Sequence, residues 1–87
     1  MAEIGTRDVD TISEWLVGRI ARELKIGPES ISLDEAFFNI GLNSLNTLII
    51  SSELSEFLGL QEFSPALFWD HPTIRKLAEH LADGSMS

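Results

Sequence analysis

Residues 43–59 read NSLNTLIISSELSEFLG. Across this stretch Leu45, Leu48, Ile49, Ile50, Leu54, Phe57 and Leu58 recur at spacings of three and four, the period of an α-helix, over a length that exceeds an ordinary strand. Asn43 and Ser44 are both preferred N-caps, and Gly59 suits the left-handed residue that follows a helix end. The spacing predicts a helix over about 44–58 that is apolar around most of its circumference and therefore central to the fold. Leu45, directly after Ser44, is read as facing inward.

Upstream, Ile12, Leu16, Ile20 and Leu24 form a stripe at helical spacing behind the capping oxygens of Asp8, Asp10 and Thr11, and Gly27-Pro28 stops it, because proline has no N–H and disfavours helix in the residue before it. From Pro28 to Asn43 the apolar residues Ile31, Leu33, Phe37, Phe38 and Ile40 are too irregularly spaced for either period, so this segment is read as a long loop packed on the core. Downstream, Ser64-Pro65 reads as a cap and first position of a short helix running through Trp69, closed by Pro72. Thr73 caps a last helix with an inner stripe of Ile74, Leu77, Ala78 and Leu81, ended by Gly84. These elements predict an all-α fold, an irregular four-helix bundle of three longer helices and one short one, with a long loop between helices one and two. Eighty-seven residues suffice for one domain. It is taken as residues 1–87, with an ordered core over about 9–82.

The formal charge is -8, from 14 acids against 6 lysines and arginines. No Lys or Arg lies between Ile26 and Ile74, a stretch that holds Glu29, Asp34, Glu35, Glu53, Glu56, Glu62 and Asp70. Such a field repels phosphate backbones, which excludes nucleic acid as a partner and favours a basic protein surface. The start, Met1-Ala2-Glu3-Ile4, has no signal-peptide pattern, and no apolar run approaches a membrane span. The absence of cysteine fits a reducing compartment and removes any thiol of the chain's own. A cytoplasmic, monomeric protein is expected, and Met1 with the short tails suggests a free-standing one.

Of the chemistry-bearing residues, His71 and His80 have no ligand spacing, so no metal site is expected. Residues 41–45 lack the Gly-x-Ser-x-Gly spacing of a nucleophile elbow, and no histidine lies near Ser44 in sequence, so no catalytic residue is assigned. Ser44 stands at a helix start behind Gly41, where exposed N–H groups and the helix dipole would stabilise a phosphate ester on its hydroxyl. It competes with Asn43 for the ordinary role of N-cap, and neither residue has the Glu or Gln three positions later that completes a capping box.

Gly41-Leu42-Asn43-Ser44-Leu45 resembles the Gly-x-Asp-Ser-Leu signature of acyl and peptidyl carrier proteins. The likeness extends to Gly27-Pro28-Glu29-Ser30-Ile31, to Phe37 and Phe38, and to Leu67-Phe68-Trp69-Asp70-His71-Pro72-Thr73-Ile74 with the helix after it. These last residues are similar to the Phe-Asp-His-Pro-Thr segment of polyketide-synthase-type carrier domains. The resemblance implies a non-catalytic carrier whose Ser44 takes 4′-phosphopantetheine from coenzyme A, flanked by Asn43 and Leu45, and holds acyl chains as thioesters in polyketide or fatty-acid-related biosynthesis. It implies as partners a phosphopantetheinyl transferase and synthase enzymes such as a ketosynthase or acyltransferase, docking on Leu45, Ile49, Glu53 and Glu56. The signature's aspartate is Asn43 here and a common glutamate is Ile49, so the transferase's Mg²⁺ meets an amide in place of a carboxylate. The competing readings are a peptidyl carrier of a nonribosomal pathway and a helical interaction domain without cofactor.

Overall fold

The computed structural model describes residues 8–59 and 64–83, with the backbone alone at Asp83. Within them lie α1 (Val9–Leu24), a 3-10 turn (Pro28–Ser30), α2 (Phe37–Ile40), α3 (Ser44–Leu58), α4 (Leu67–Asp70) and α5 (Ile74–Asp83), with no strand beyond a single bridge between Ala36 and Thr73.

In α1 the stripe Ile12, Leu16 and Ile20 is fully buried, one helical turn apart, with Ser13 and Ala21 beside it. Lys25 takes the left-handed conformation and the Ile26 N–H donates back to the Ala21 carbonyl at 3.0 Å, which closes the helix before Gly27-Pro28. α1 packs on α5, whose Ile74, Leu77, Ala78 and Leu81 are all buried, and on α3. Trp15 stacks on Phe57 at 5.3 Å between ring centroids, tying α1 to the far end of α3. The Thr73 hydroxyl accepts from the Lys76 N–H at 3.1 Å, the cap expected for α5. Gly84, expected to end that helix, lies outside the described residues, as does Glu62.

The segment read as an irregular loop contains more structure than its spacing showed. α2 is one helical turn that buries Phe37 against Phe68, with ring centroids 4.8 Å apart. A segment rich in backbone polar groups lies on the core only if those groups find partners. Here the start of α5 supplies them: the Phe37 N–H donates to the Pro72 carbonyl at 2.8 Å, and the Arg75 N–H to the Leu33 carbonyl at 3.0 Å. The Arg75 guanidinium donates to both Asp34 carboxylate oxygens, at 2.6 and 3.3 Å. The short helix expected from Pro65 begins at Leu67, because the Ser64 hydroxyl accepts from the Ala66 N–H at 3.1 Å and holds residues 64–66 in a turn.

α3 is less central than its composition suggested. It buries Thr47, Ile50, Ser51, Leu54 and Leu58, whereas Leu45, Leu48 and Ile49 are exposed by 62%, 53% and 39%. At 100° per residue, Leu45 is about 200° from Thr47, so a helix that turns Thr47 and Ser51 to the core must turn Leu45 to solvent. The two buried hydroxyls are satisfied within the helix, Thr47 donating to the Ser44 carbonyl and Ser51 to that of Leu48, each at 2.9 Å. The inward-facing leucine of the 41–45 stretch is Leu42, only 3% exposed.

Candidate functional site

Ser44 is delivered by a turn that needs each of its residues. Gly41 sits at φ 129°, ψ 5°, a conformation that side chains of L-residues rarely adopt, and the Leu24 side chain lies 3.5 Å from where a Cβ would be. Leu42 plunges into the core, and its N–H donates to the Phe37 carbonyl at 3.2 Å. Asn43 is extended and caps α3: its Oδ1 accepts from the Asn46 N–H at 2.9 Å, and Asn46 Oδ1 accepts in return from the Asn43 N–H at 3.1 Å. This is a reciprocal capping box with a second asparagine in place of the usual glutamate or glutamine. A reading that looks for the longer side chains passes over Asn46; the Asn-x-x-Asn spacing is the signal that could have found it.

The box settles which of the two candidate caps does the capping. Asn43 does, so Ser44 stands exposed at the first helical position with its hydroxyl taking no part in the cap. The N–H groups of Ser44 and Leu45 belong to the first turn and have no intrahelical acceptor, while that of Thr47 bonds the Asn43 carbonyl at 3.0 Å. An exposed hydroxyl on a rigid helix start, beside unpaired donors and the positive end of a 15-residue helix, fits a phosphodiester chemically.

Leu45, Leu48 and Ile49 form an uncharged, exposed face next to that hydroxyl. Phe38 stacks on the half-exposed Trp69 at 4.2 Å, which packs it within the α2–α4 corner. A cleft of about 460 Å³ lies elsewhere, between α1 and the first loop, lined by Val17, Gly18, Pro28 and Leu33 among others and by no residue of α3. The acids expected to receive partners differ from each other. Glu56 is exposed, but Glu53 is bound by the Arg19 guanidinium, whose hydrogen bond holds the Glu53 carboxyl below its ordinary range. His71 and His80, remote in sequence, stack on each other at 4.2 Å, and no group of three or more metal-ligating side chains occurs among the described residues. No described helix is long and apolar enough to cross a membrane.

The family described as phosphopantetheine attachment site matches residues 14–81. The chain belongs to this family. It is a carrier protein, and 4′-phosphopantetheine is its cofactor. A phenolphthiocerol/phthiocerol polyketide synthase chain of Mycobacterium tuberculosis is 35% identical over 71 residues, which are 82% of this carrier and 4% of that protein. The polyketide synthase GfsA of Streptomyces halstedii is 47% identical over 66 residues, 75% of this carrier and 1% of the synthase. The chain thus spans only a small fraction of these relatives. Among solved structures, a free-standing peptidyl carrier protein from Acinetobacter baumannii superposes with a TM-score of 0.84 at 36% identity, covering 90% of this chain and 96% of the other. Asl1650, an acyl carrier protein from Anabaena with a variant phosphopantetheinylation-site sequence, does so at 0.79 and 37%, covering 86% and 84%.

Proposed function

We propose that Ser44 is the residue that carries the cofactor and that the protein is a non-catalytic, monomeric acyl carrier of a polyketide pathway, working in the cytoplasm. The observation that carries the site is the division of labour at the start of α3, where the Asn43–Asn46 box does the capping and leaves an exposed serine hydroxyl at the first helical position. In the loading step the Ser44 Oγ attacks the β-phosphorus of coenzyme A. A P–O bond forms to Ser44, the diphosphate P–O bond breaks to release adenosine 3′,5′-bisphosphate, and the hydroxyl proton passes to a base of the transferase. The bound group supplies the thiol that this cysteine-free chain lacks and holds the acyl cargo as a thioester.

Polyketide synthases among the relatives support acyl cargo, and so does the Asp70-His71-Pro72-Thr73 segment. The structural likeness to a peptidyl carrier supports aminoacyl cargo as the second reading. Partners are a phosphopantetheinyl transferase and synthase enzymes such as a ketosynthase or acyltransferase, meeting the exposed face of Leu45 and Ile49 with Glu56 and the Arg19-paired Glu53 farther along α3. The test is intact mass after incubation with coenzyme A and a broad-specificity transferase. Wild type gains one phosphopantetheine and Ser44→Ala gains none; a modified Ser44→Ala protein would overturn the assignment.

A further inference from the structure

The first turn of α3 contains no acidic residue. A negative charge at a helix N-terminus is stabilised by the helix dipole. A carboxylate is nevertheless present there, and it comes from another helix. The Asn46 Nδ2 donates to Glu23 Oε2 of α1 at 2.8 Å, while the same carboxamide's oxygen closes the capping box on the Asn43 N–H. Glu23 Oε1 in turn accepts from Arg19 at 3.1 Å, and Arg19 also holds Glu53. A chain of polar contacts therefore runs from Glu53 through Arg19, Glu23 and Asn46 to Asn43, the residue before Ser44.

Resting on the reading of Ser44 as the attachment residue, we propose that Glu23 and Asn46 are positioning and specificity residues of this site. Asn46 locks the first turn of α3 onto α1, and Glu23 supplies from α1 the carboxylate that the Gly41–Leu45 stretch lacks. The same contacts bear on the amide at residue 43: an aspartate there would place a second carboxylate on the Asn46 backbone N–H, beside the residue whose carboxamide holds Glu23, and neighbouring like charges repel. It also gives Glu23 a part in loading. The donor's diphosphate is transferred with a divalent cation, a hard ion that prefers carboxylate oxygens. A carboxylate offers about four lone-pair sites. The contacts to Asn46 and Arg19 use two, and the side chain is 24% exposed.

The test relocates the charge. Transfer from coenzyme A is followed with kcat and KM separated, and thermal unfolding is recorded, for wild type, Glu23→Gln, Asn43→Asp and the double variant. Glu23→Gln keeps an acceptor for Asn46 and removes only the charge, so it should lower kcat/KM about fivefold, the effect of one charge at a helix N-terminus. Asn43→Asp should lower the unfolding midpoint by about 4 °C in the wild-type background and leave it unchanged when Glu23 is glutamine. The double variant, with its carboxylate moved from α1 to the cap, should load within about twofold of wild type, a rescue that a merely structural role for Glu23 would not produce. A wild-type rate for Glu23→Gln, or an Asn43→Asp effect that is the same in both backgrounds, overturns the inference. Ser44→Ala in the same assay separates the two levels: if it stays unmodified the attachment reading stands whatever Glu23 does, and if it is modified both fall.

Discussion

At the scale of single residues, two glycines are of opposite character. Gly41 adopts φ 129°, so Gly41→Ala forces a Cβ into a strained backbone region and should cost of order 1–3 kcal/mol. Gly18 lies mid-helix in α1, at ordinary helical dihedrals, with nothing within 4 Å of an added Cβ. There the substitution to alanine should stabilise by about 0.5–1 kcal/mol, through helix propensity and reduced freedom of the unfolded chain. Urea unfolding reads both: the midpoint falls for Gly41→Ala and rises for Gly18→Ala at unchanged slope. A neutral Gly41→Ala would remove the argument that this turn needs glycine. The helix start at Ser44 and the need for a turn at Gly41 were legible in the sequence, because glycine, capping residues and apolar spacing are local signals. Asn46 and Glu23 were not, since a contact between residues 23 positions apart leaves no trace in local spacing.

At the scale of elements, α3 shows how a composition can misstate a face. Counting apolar residues makes the helix look buried all round, yet Thr47 and Ser51 occupy the core side while Leu45, Leu48 and Ile49 face outward. The exchange is possible because a hydroxyl can return its proton to the carbonyl three residues earlier, leaving no polar group unpaired; no buried side-chain nitrogen or oxygen lacks a partner among the described residues. Leu48→Gln should therefore change stability by less than about 0.5 kcal/mol, as surface substitutions do. Leu54→Ala, at a fully buried position of the same helix, should cost about 2–5 kcal/mol. Chemical denaturation of the pair distinguishes the two faces, and equal losses would mean that the exposed apolar face is packed in solution. The one-turn helix α2 escaped sequence reading because four residues hold too little periodicity to register. α4 is equally short and was legible only through its punctuation, Ser64-Pro65 before it and Pro72 after it. What fixes both is aromatic contact across the molecule, Phe37 on Phe68 and Phe38 on Trp69.

At the scale of the whole molecule, the segregation of charge was plain in the sequence, but its consequence was only half visible. The acidic middle is not a bare field, because cations from the flanking helices reach into it: Arg19 of α1 binds Glu53, and Arg75 of α5 binds Asp34. Each arginine holds its partner's carboxyl below the ordinary value, chiefly through the hydrogen bond, with its charge adding to the effect. A carboxyl depressed in the folded state contributes stability that is fully present above its unfolded value, near ~4, and is lost as pH falls through the folded value beneath it. Stability from these pairs should therefore be level between about pH 7 and 5 and decline below about 4. Both carboxylates are solvent-exposed, so salt screens the pairs and the decline should be smaller at about 1 M than at about 0.05 M NaCl. The double variant Asp34→Asn, Glu53→Gln removes the two titrating partners while leaving the core untouched. Its thermal midpoint should fall less steeply than that of wild type between about pH 5 and 3 in low salt, and parallel curves for the two proteins would show that other carboxylates govern the acid transition.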